Sequence, residues 1–170
     1  SKETSAKILI CVHDREEAYF ALMKKYGYQL LTSIKGTVAK KADIKQKETN
    51  FYKEILKQLI EYNERYNLSK IIIASPAFWK EELMKEIEDE DLKSKIILAT
   101  CSSVGENAIN EVIKRPETEN ALKQDRISKE YKHVEELFAE ISKSNLASYG
   151  LKETKNAAIA GAVKTLLITN

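Results

Sequence analysis

Residues 33–54 read SIKGTVAKKADIKQKETNFYKE, and within residues 33–47 five lysines, Lys35, Lys40, Lys41, Lys45 and Lys47, stand against a single acid, Asp43. No aromatic interrupts them. Ammonium groups without interleaved rings suit phosphate contact better than base stacking, so a nucleic-acid partner would be held by its backbone and not read by sequence. The same composition also describes a loop that is merely solvated.

Other residues could carry different chemistry. His13, Asp14, Glu16 and Glu17 follow the first apolar run, and carboxylates at a strand end can hold a divalent metal for phosphodiester cleavage. Such a site needs further acids from neighbouring strands, yet the runs ending near residues 75 and 100 offer Ser75, Ser102 and Ser103. A solvated turn is the ordinary alternative. Cys101 ends an apolar run, but neither His13, on a turn, nor His133, on a distal helix, is placed to activate it, so a small buried hydrophobe is its expected role. TCSSVGEN could cradle a phosphate at a helix N-terminus. It lacks the lysine and spacing of a P-loop, and an N-cap by Ser102 or Ser103 explains the serines equally well. In ASPAFWKEEL, Ser75 would cap a helix opened by Pro76, with at least one of Phe78 and Trp79 buried.

The elements that must position these groups follow from hydrophobic period. AKILICV at 6–12 is a strand, and the segment around Tyr26–Gly27 supplies two more, giving an antiparallel meander. From Gln46 the period lengthens: Phe51, Ile55, Leu59 and Tyr62 recur at helical spacing to about Tyr66. KIIIAS (70–75) is a buried strand, PAFWKEELMKEIE a helix, SKIILAT (94–100) another strand and VGENAINEVIKR another helix. Strands alternating with helices require parallel crossovers. The expected fold is therefore α/β, a mixed five-stranded sheet of meander followed by parallel crossover strands with flanking helices. Beyond Pro116 a long polar helix carries Ile127, Tyr131, Val134, Leu137, Phe138 and Ile141 as its apolar line. Ala157, Ala158 and Ala160 with Gly161 as cap, then a final apolar strand containing Leu166, Leu167 and Ile168, read as the truncated start of a second α/β domain. The division expected is 1–122 and 123–170.

Composition bounds these readings. The 170 residues are 43% hydrophobic, enough for a real core, and the 28 Lys+Arg against 26 Asp+Glu leave a net charge of +2. Any electrostatic function must then come from local patches. Cys11 and Cys101 both sit in apolar runs, as in a reduced compartment. No apolar run approaches the roughly 18 residues of a membrane span. The expectation is a cytoplasmic chain with no membrane partner.

The segments ATCSSVGENAINEVIKRPE, DRISKEYKHVEELFAEI and YGLKETKNAAIAGAVKTLLITN resemble the archaeal and eukaryotic Pelota family of ribosome-rescue factors, paralogues of class 1 eukaryotic-type release factors. The likeness covers the central domain and the start of the C-terminal domain. In the release factors the loop after the third strand carries a Gly-Gly-Gln tripeptide that promotes peptidyl-tRNA hydrolysis. This chain has a lone Gly36 there, and Gln46 follows no glycine. The resemblance thus implies a noncatalytic ribosome-binding factor without cofactor, acting in rescue of stalled ribosomes and no-go mRNA surveillance. The five lysines would face tRNA, rRNA or a GTPase related to elongation factor 1 alpha, and an ABC-type ATPase would split the ribosome. The alternative is a divalent-metal-dependent endoribonuclease in no-go decay, on a topology reminiscent of ribonuclease H, with Asp14, Glu16 and Glu17 as metal ligands.

Overall fold

A computed structural model of the chain describes residues 7–36 and 44–149. Three strands, β1 (Ile8–His13), β2 (Glu17–Met23) and β3 (Tyr28–Lys35), form the meander. Helix α1 (Ile44–Tyr66) crosses to β4 (Lys70–Ser75), and α2 (Trp79–Met84) with α3 (Glu90–Lys95) leads to β5 (Ile96–Thr100). Then come α4 (Glu106–Ile113) and α5 (Pro116–Tyr149). The strands lie in the order β3-β2-β1-β4-β5. The β1–β2 and β2–β3 pairs are antiparallel, while β1–β4 and β4–β5 are parallel. The expected mixed five-stranded sheet is the one observed.

Alternation of side chains across the strands explains why β1 and β4 read as continuous apolar runs: each is covered on both faces. On one face Leu9, Cys11, Phe20, Ile71 and Ile73 pack against Phe51, Ile55 and Leu59 of α1. On the other, Ile8, Ile10, Val12 and Ile72 meet Ala108, Ile109 and Val112 of α4 and Ala121 of α5. Each buried Ile or Leu contributes about 1.5–3 kcal/mol, so these two layers are the principal source of stability. Helix α1 ends where Asn67 turns left-handed at φ 50°, its N–H donating to the Asn63 carbonyl at 2.9 Å, and asparagine tolerates that conformation better than most residues. Ser69 N–H then donates to the Lys7 carbonyl at 2.8 Å, which sets the parallel register of β4 on β1.

Two expectations need correction. The helix expected from Pro76 to about residue 88 is confined to Trp79–Met84, and a second short helix, α3, lies beyond it at Glu90–Lys95. Ala77 sits at φ 51°, so Pro76–Ala77 is a turn, and the Ser75 hydroxyl accepts from the Lys80 N–H at 2.9 Å. The second, α3, takes up the first residues of the strand expected from Ser94. Asp89 starts it, accepting from the N–H groups of Asp91 at 2.9 Å and Leu92 at 3.3 Å; a side-chain cap of this kind is a strong helix initiator.

The chain divides into two compact units, Ser1–Lys123 and Gln124–Asn170. Pro116 opens α5, where its missing N–H costs nothing, and the Thr118 hydroxyl donates to the Val112 carbonyl at 2.6 Å. In the second unit Ile127, Tyr131, Leu137 and Ile141 are exposed on α5. The helix with Ala157, Ala158, Ala160 and Gly161, and the strand with Leu166, Leu167 and Ile168, lie outside the described residues.

Candidate nucleic-acid interface

The strand register gathers the chemistry at one end of the sheet. His13 pairs with Ala18, Glu17 with Lys35, Val12 with Ala74 and Ser75 with Thr100. The carboxyl ends of β1, β3, β4 and β5 are therefore neighbours, and the basic segment leaves the sheet from this end. Gly36 anchors its first residue: its N–H donates to the Glu16 carbonyl at 2.6 Å. A Cβ at this position would lie 3.3 Å from the Phe51 ring, so the close approach favours glycine.

Lys35 is exposed at the end of β3, and Lys45 is exposed in the first turn of α1. Lys47, also near that terminus, is half-buried and makes an interaction of its own. Lys40 and Lys41 lie outside the described residues. The first turn of α1 contains no acid. Cations there oppose the helix dipole, whose positive end prefers carboxylate or phosphate by about 0.3–1 kcal/mol per charge. Local folding energetics alone would place acids where this chain places Lys45 and Lys47.

The residues beside this segment behave differently from the expectation drawn from sequence. His13 is not on a turn: it closes β1, fully buried, with Nδ1 2.8 Å from the Asp14 carbonyl oxygen and Nε2 without a partner. Its ring meets that of Tyr52 edge-on at 6.0 Å. Burial drives its pKa below the usual imidazole value, against the opposing influence of Asp14. Burial likewise pushes the Tyr52 phenol up to about 12. Asp14 is occupied with the turn itself, its Oδ1 accepting from the N–H groups of Glu16 at 2.7 Å and Glu17 at 2.9 Å. Among the described residues no three His, Cys, Asp or Glu side chains are grouped to hold a metal ion.

Neither aromatic of ASPAFWKEEL is buried, contrary to expectation. Phe78 is 76% exposed, and Trp79 is half-buried beneath the Arg15 guanidinium, 5.1 Å from the ring centroid. Arg15 also pairs with Glu48 of α1 at 3.4 Å. The turn at Ala77, which no sequence period marks, lifts Phe78 out of the core. Lys80 is the second surprise, a buried lysine whose Nζ donates to the Ala77 carbonyl at 3.2 Å and faces Glu81 at 3.3 Å.

Ser102 and Ser103 do not cap α4. That position belongs to Gly105, at φ 156°, while the Ser102 hydroxyl and N–H donate to the Glu111 carboxylate at 2.6, 3.0 and 3.1 Å. These bonds lower the Glu111 pKa and satisfy an amide that a phosphate cradle would have left free. Cys101 is buried as expected, and desolvation pushes its thiol up to about 11, while burial raises that of Cys11 further. Neither is a thiolate at neutral pH.

Against known proteins, the eRF1 domain 2 family matches residues 7–124 and the eRF1 domain 3 family residues 127–170. This chain belongs to the eRF1–Pelota family. The protein pelota homolog of Thermococcus kodakarensis is 35% identical over 169 residues, covering 96% of this chain and 47% of the relative. A structure of ribosome-bound archaeal Pelota and ABCE1 matches with a TM-score of 0.62 at 32% identity, covering 94% of this chain and 46% of that Pelota chain. That of S. cerevisiae Dom34, a translation termination-like factor involved in RNA quality control pathways and interacting with Hbs1, matches with a TM-score of 0.57 at 25% identity over 82% of this chain and 41% of Dom34. The chain spans about half the length of the curated Pelota relatives it matches. Among the described residues no helix is long and apolar enough to cross a membrane.

Proposed function

We propose that this chain is the ribosome-facing part of a Pelota-type rescue factor, noncatalytic, with the segment between β3 and α1 gripping RNA phosphates through Lys35, Lys40, Lys41, Lys45 and Lys47. The observation that carries it is the acid-free first turn of α1. Lysines at the positive end of a helix dipole are unfavourable for the free protein and become favourable when a phosphate arrives. Gly36 stands alone where the release factors carry Gly-Gly-Gln, which supports binding without peptidyl-tRNA hydrolysis. The ribosome with ABCE1 around the archaeal Pelota, and Hbs1 beside Dom34, support as partners the ribosome, a translational GTPase related to elongation factor 1 alpha, and an ABC-type ribosome-splitting ATPase. The process served is dissociation of stalled ribosomes in no-go mRNA surveillance, in the cytoplasm.

The test is a salt titration of ribosome binding by the full-length protein. Replacing the five lysines with glutamate abolishes binding, and every lysine–phosphate pair removed flattens the logarithmic salt slope by roughly 0.7–0.9. Lys45→Glu alone weakens binding while stabilising the fold by up to about 1 kcal/mol, because the new carboxylate complements the dipole. Binding equal to wild type in the five-lysine variant refutes the reading. Asp14→Asn and Glu16→Gln with Glu17→Gln leave binding unchanged, and magnesium- or manganese-dependent RNA cleavage abolished by Asp14→Asn would favour an endoribonuclease instead.

A further inference from the structure

Residues 18–42 contain five lysines and no acid, and the first two of them, Lys24 and Lys25, lie far from the segment described above. They sit in the tight turn between β2 and β3, closed by the Lys24 N–H donating to the Gly27 carbonyl at 3.0 Å, with Gly27 at φ 93°. That turn holds Tyr26 clear of the protein at 88% exposure, the most exposed of the large hydrophobic side chains among the described residues. The Lys25 ammonium lies 5.6 Å from the centroid of its ring. No ion pair among the described residues involves Lys24 or Lys25. The neighbouring Tyr28 is engaged, its hydroxyl donating to Glu106 at 3.1 Å, so Tyr26 is the ring presented to solvent.

Strand β3 joins this turn to Lys35, and it is the edge of the sheet. From Tyr28 to Lys35 it spans seven steps, about 24 Å at 3.4 Å each. The edge thus carries lysines at both ends, and only one end carries an exposed aromatic. A ring flanked by cations is the arrangement that stacks an unpaired base while the ammonium groups meet its phosphates.

We propose that the β2–β3 turn is a second RNA contact, in which Tyr26 stacks on an unpaired nucleotide and Lys24 and Lys25 hold the adjoining phosphates, so that the RNA footprint runs the length of the β3 edge. The inference rests on the RNA reading of the basic segment and extends it to a site of different character: the segment after β3 grips backbone alone, whereas the turn engages a base.

The two kinds of contact separate by salt. With the full-length protein, and with intact ribosomes and a short single-stranded RNA as probes, Tyr26→Ala weakens binding by about 5- to 160-fold with an unchanged salt slope, since stacking releases no counterion. Lys24→Glu with Lys25→Glu weakens it and flattens the slope by about 1.4 on the single-stranded RNA. Both variants keep the wild-type thermal unfolding temperature, because these side chains are exposed. Wild-type binding by both turn variants, with loss of binding when Lys35 and Lys45 become glutamate, overturns the second contact and leaves the first standing. Wild-type binding by all of them overturns the RNA reading and the second contact with it. A Tyr26→Ala defect that Tyr26→Phe shares would also overturn stacking, because phenylalanine keeps the ring face.

Discussion

Acid should loosen this sheet through one residue. His13 is fully buried and neutral, facing Asp14, Lys80, Glu81 and the Tyr52 ring, and its Nε2 has no partner. In the unfolded chain an imidazole titrates near 6.5; in the folded one burial holds the value lower. A depressed base binds fewer protons folded than unfolded, so its contribution is complete above about pH 6.5 and is lost as pH falls below that value, until the folded group itself protonates. Between pH 7.5 and 5.5 the unfolded state gains about 1.4 kcal/mol from proton binding, which is the upper bound on the stability lost, reduced by whatever protonation the folded group undergoes in that window. With an m-value of about 1.5 kcal/mol per molar, the urea midpoint drops by up to roughly 0.9 M. The single tryptophan, Trp79, lies in the first unit, so its fluorescence follows that unit. His13→Phe keeps a ring against Tyr52 and removes the titration, and its midpoint is therefore flat over the same window. A His13→Phe variant as sensitive to pH as wild type would refute the reasoning, as would a wild-type midpoint that does not move.

Three other outcomes follow from the packing. Ala77→Gly relieves the left-handed conformation at φ 51°, worth about 1–2 kcal/mol, against about 0.5–1 kcal/mol of glycine entropy, for a net gain of up to about 1.5 kcal/mol in the same urea assay. Phe20→Ala, at a fully buried position whose ring lies 5.8 Å from that of Tyr62, costs about 3–5 kcal/mol in chemical unfolding. Cys101, with its thiol pushed up to about 11, and the more deeply buried Cys11 resist iodoacetamide at mildly alkaline pH in the native chain and react once urea unfolds it, as timed by mass spectrometry.

The sheet was legible because its signals are collective. Strands β1, β4 and β5 announced themselves as apolar runs rich in β-branched residues, β2 and β3 as the apolar segments flanking the Tyr26–Gly27 turn, and α1 by four apolar residues at helical spacing; burial enforces such patterns along a whole element. What escaped was decided by single atoms. Nothing in the spacing of Pro76, Ala77 and Phe78 says that Ala77 will turn left-handed and expose the phenylalanine. Glu111, nine residues beyond Ser102, takes the serine that a local reading assigns to a cap, because α4 returns its carboxylate to the end of β5. His13 reads as part of a polar turn from its neighbours Asp14 and Arg15, yet the β1 ladder continues one residue further and carries it inside. The basic segment was visible as composition, whereas its relation to the α1 dipole required knowing that the helix starts at Ile44.

The open edge at β3 has a further consequence for the protein as a material in solution. A strand with unpaired amides and carbonyls along one side is a template for a second sheet, and two molecules meeting there could join edge to edge. Here the strand is bent by an irregularity opposite Phe20 and Ala21 and bounded by Lys24 and Lys25 at one end and Lys35 at the other, so two such edges approaching each other bring like charges together. Neutralising these lysines would then lower solubility as well as any affinity for RNA, and at low salt the protein should tolerate higher concentration than the neutralised variant.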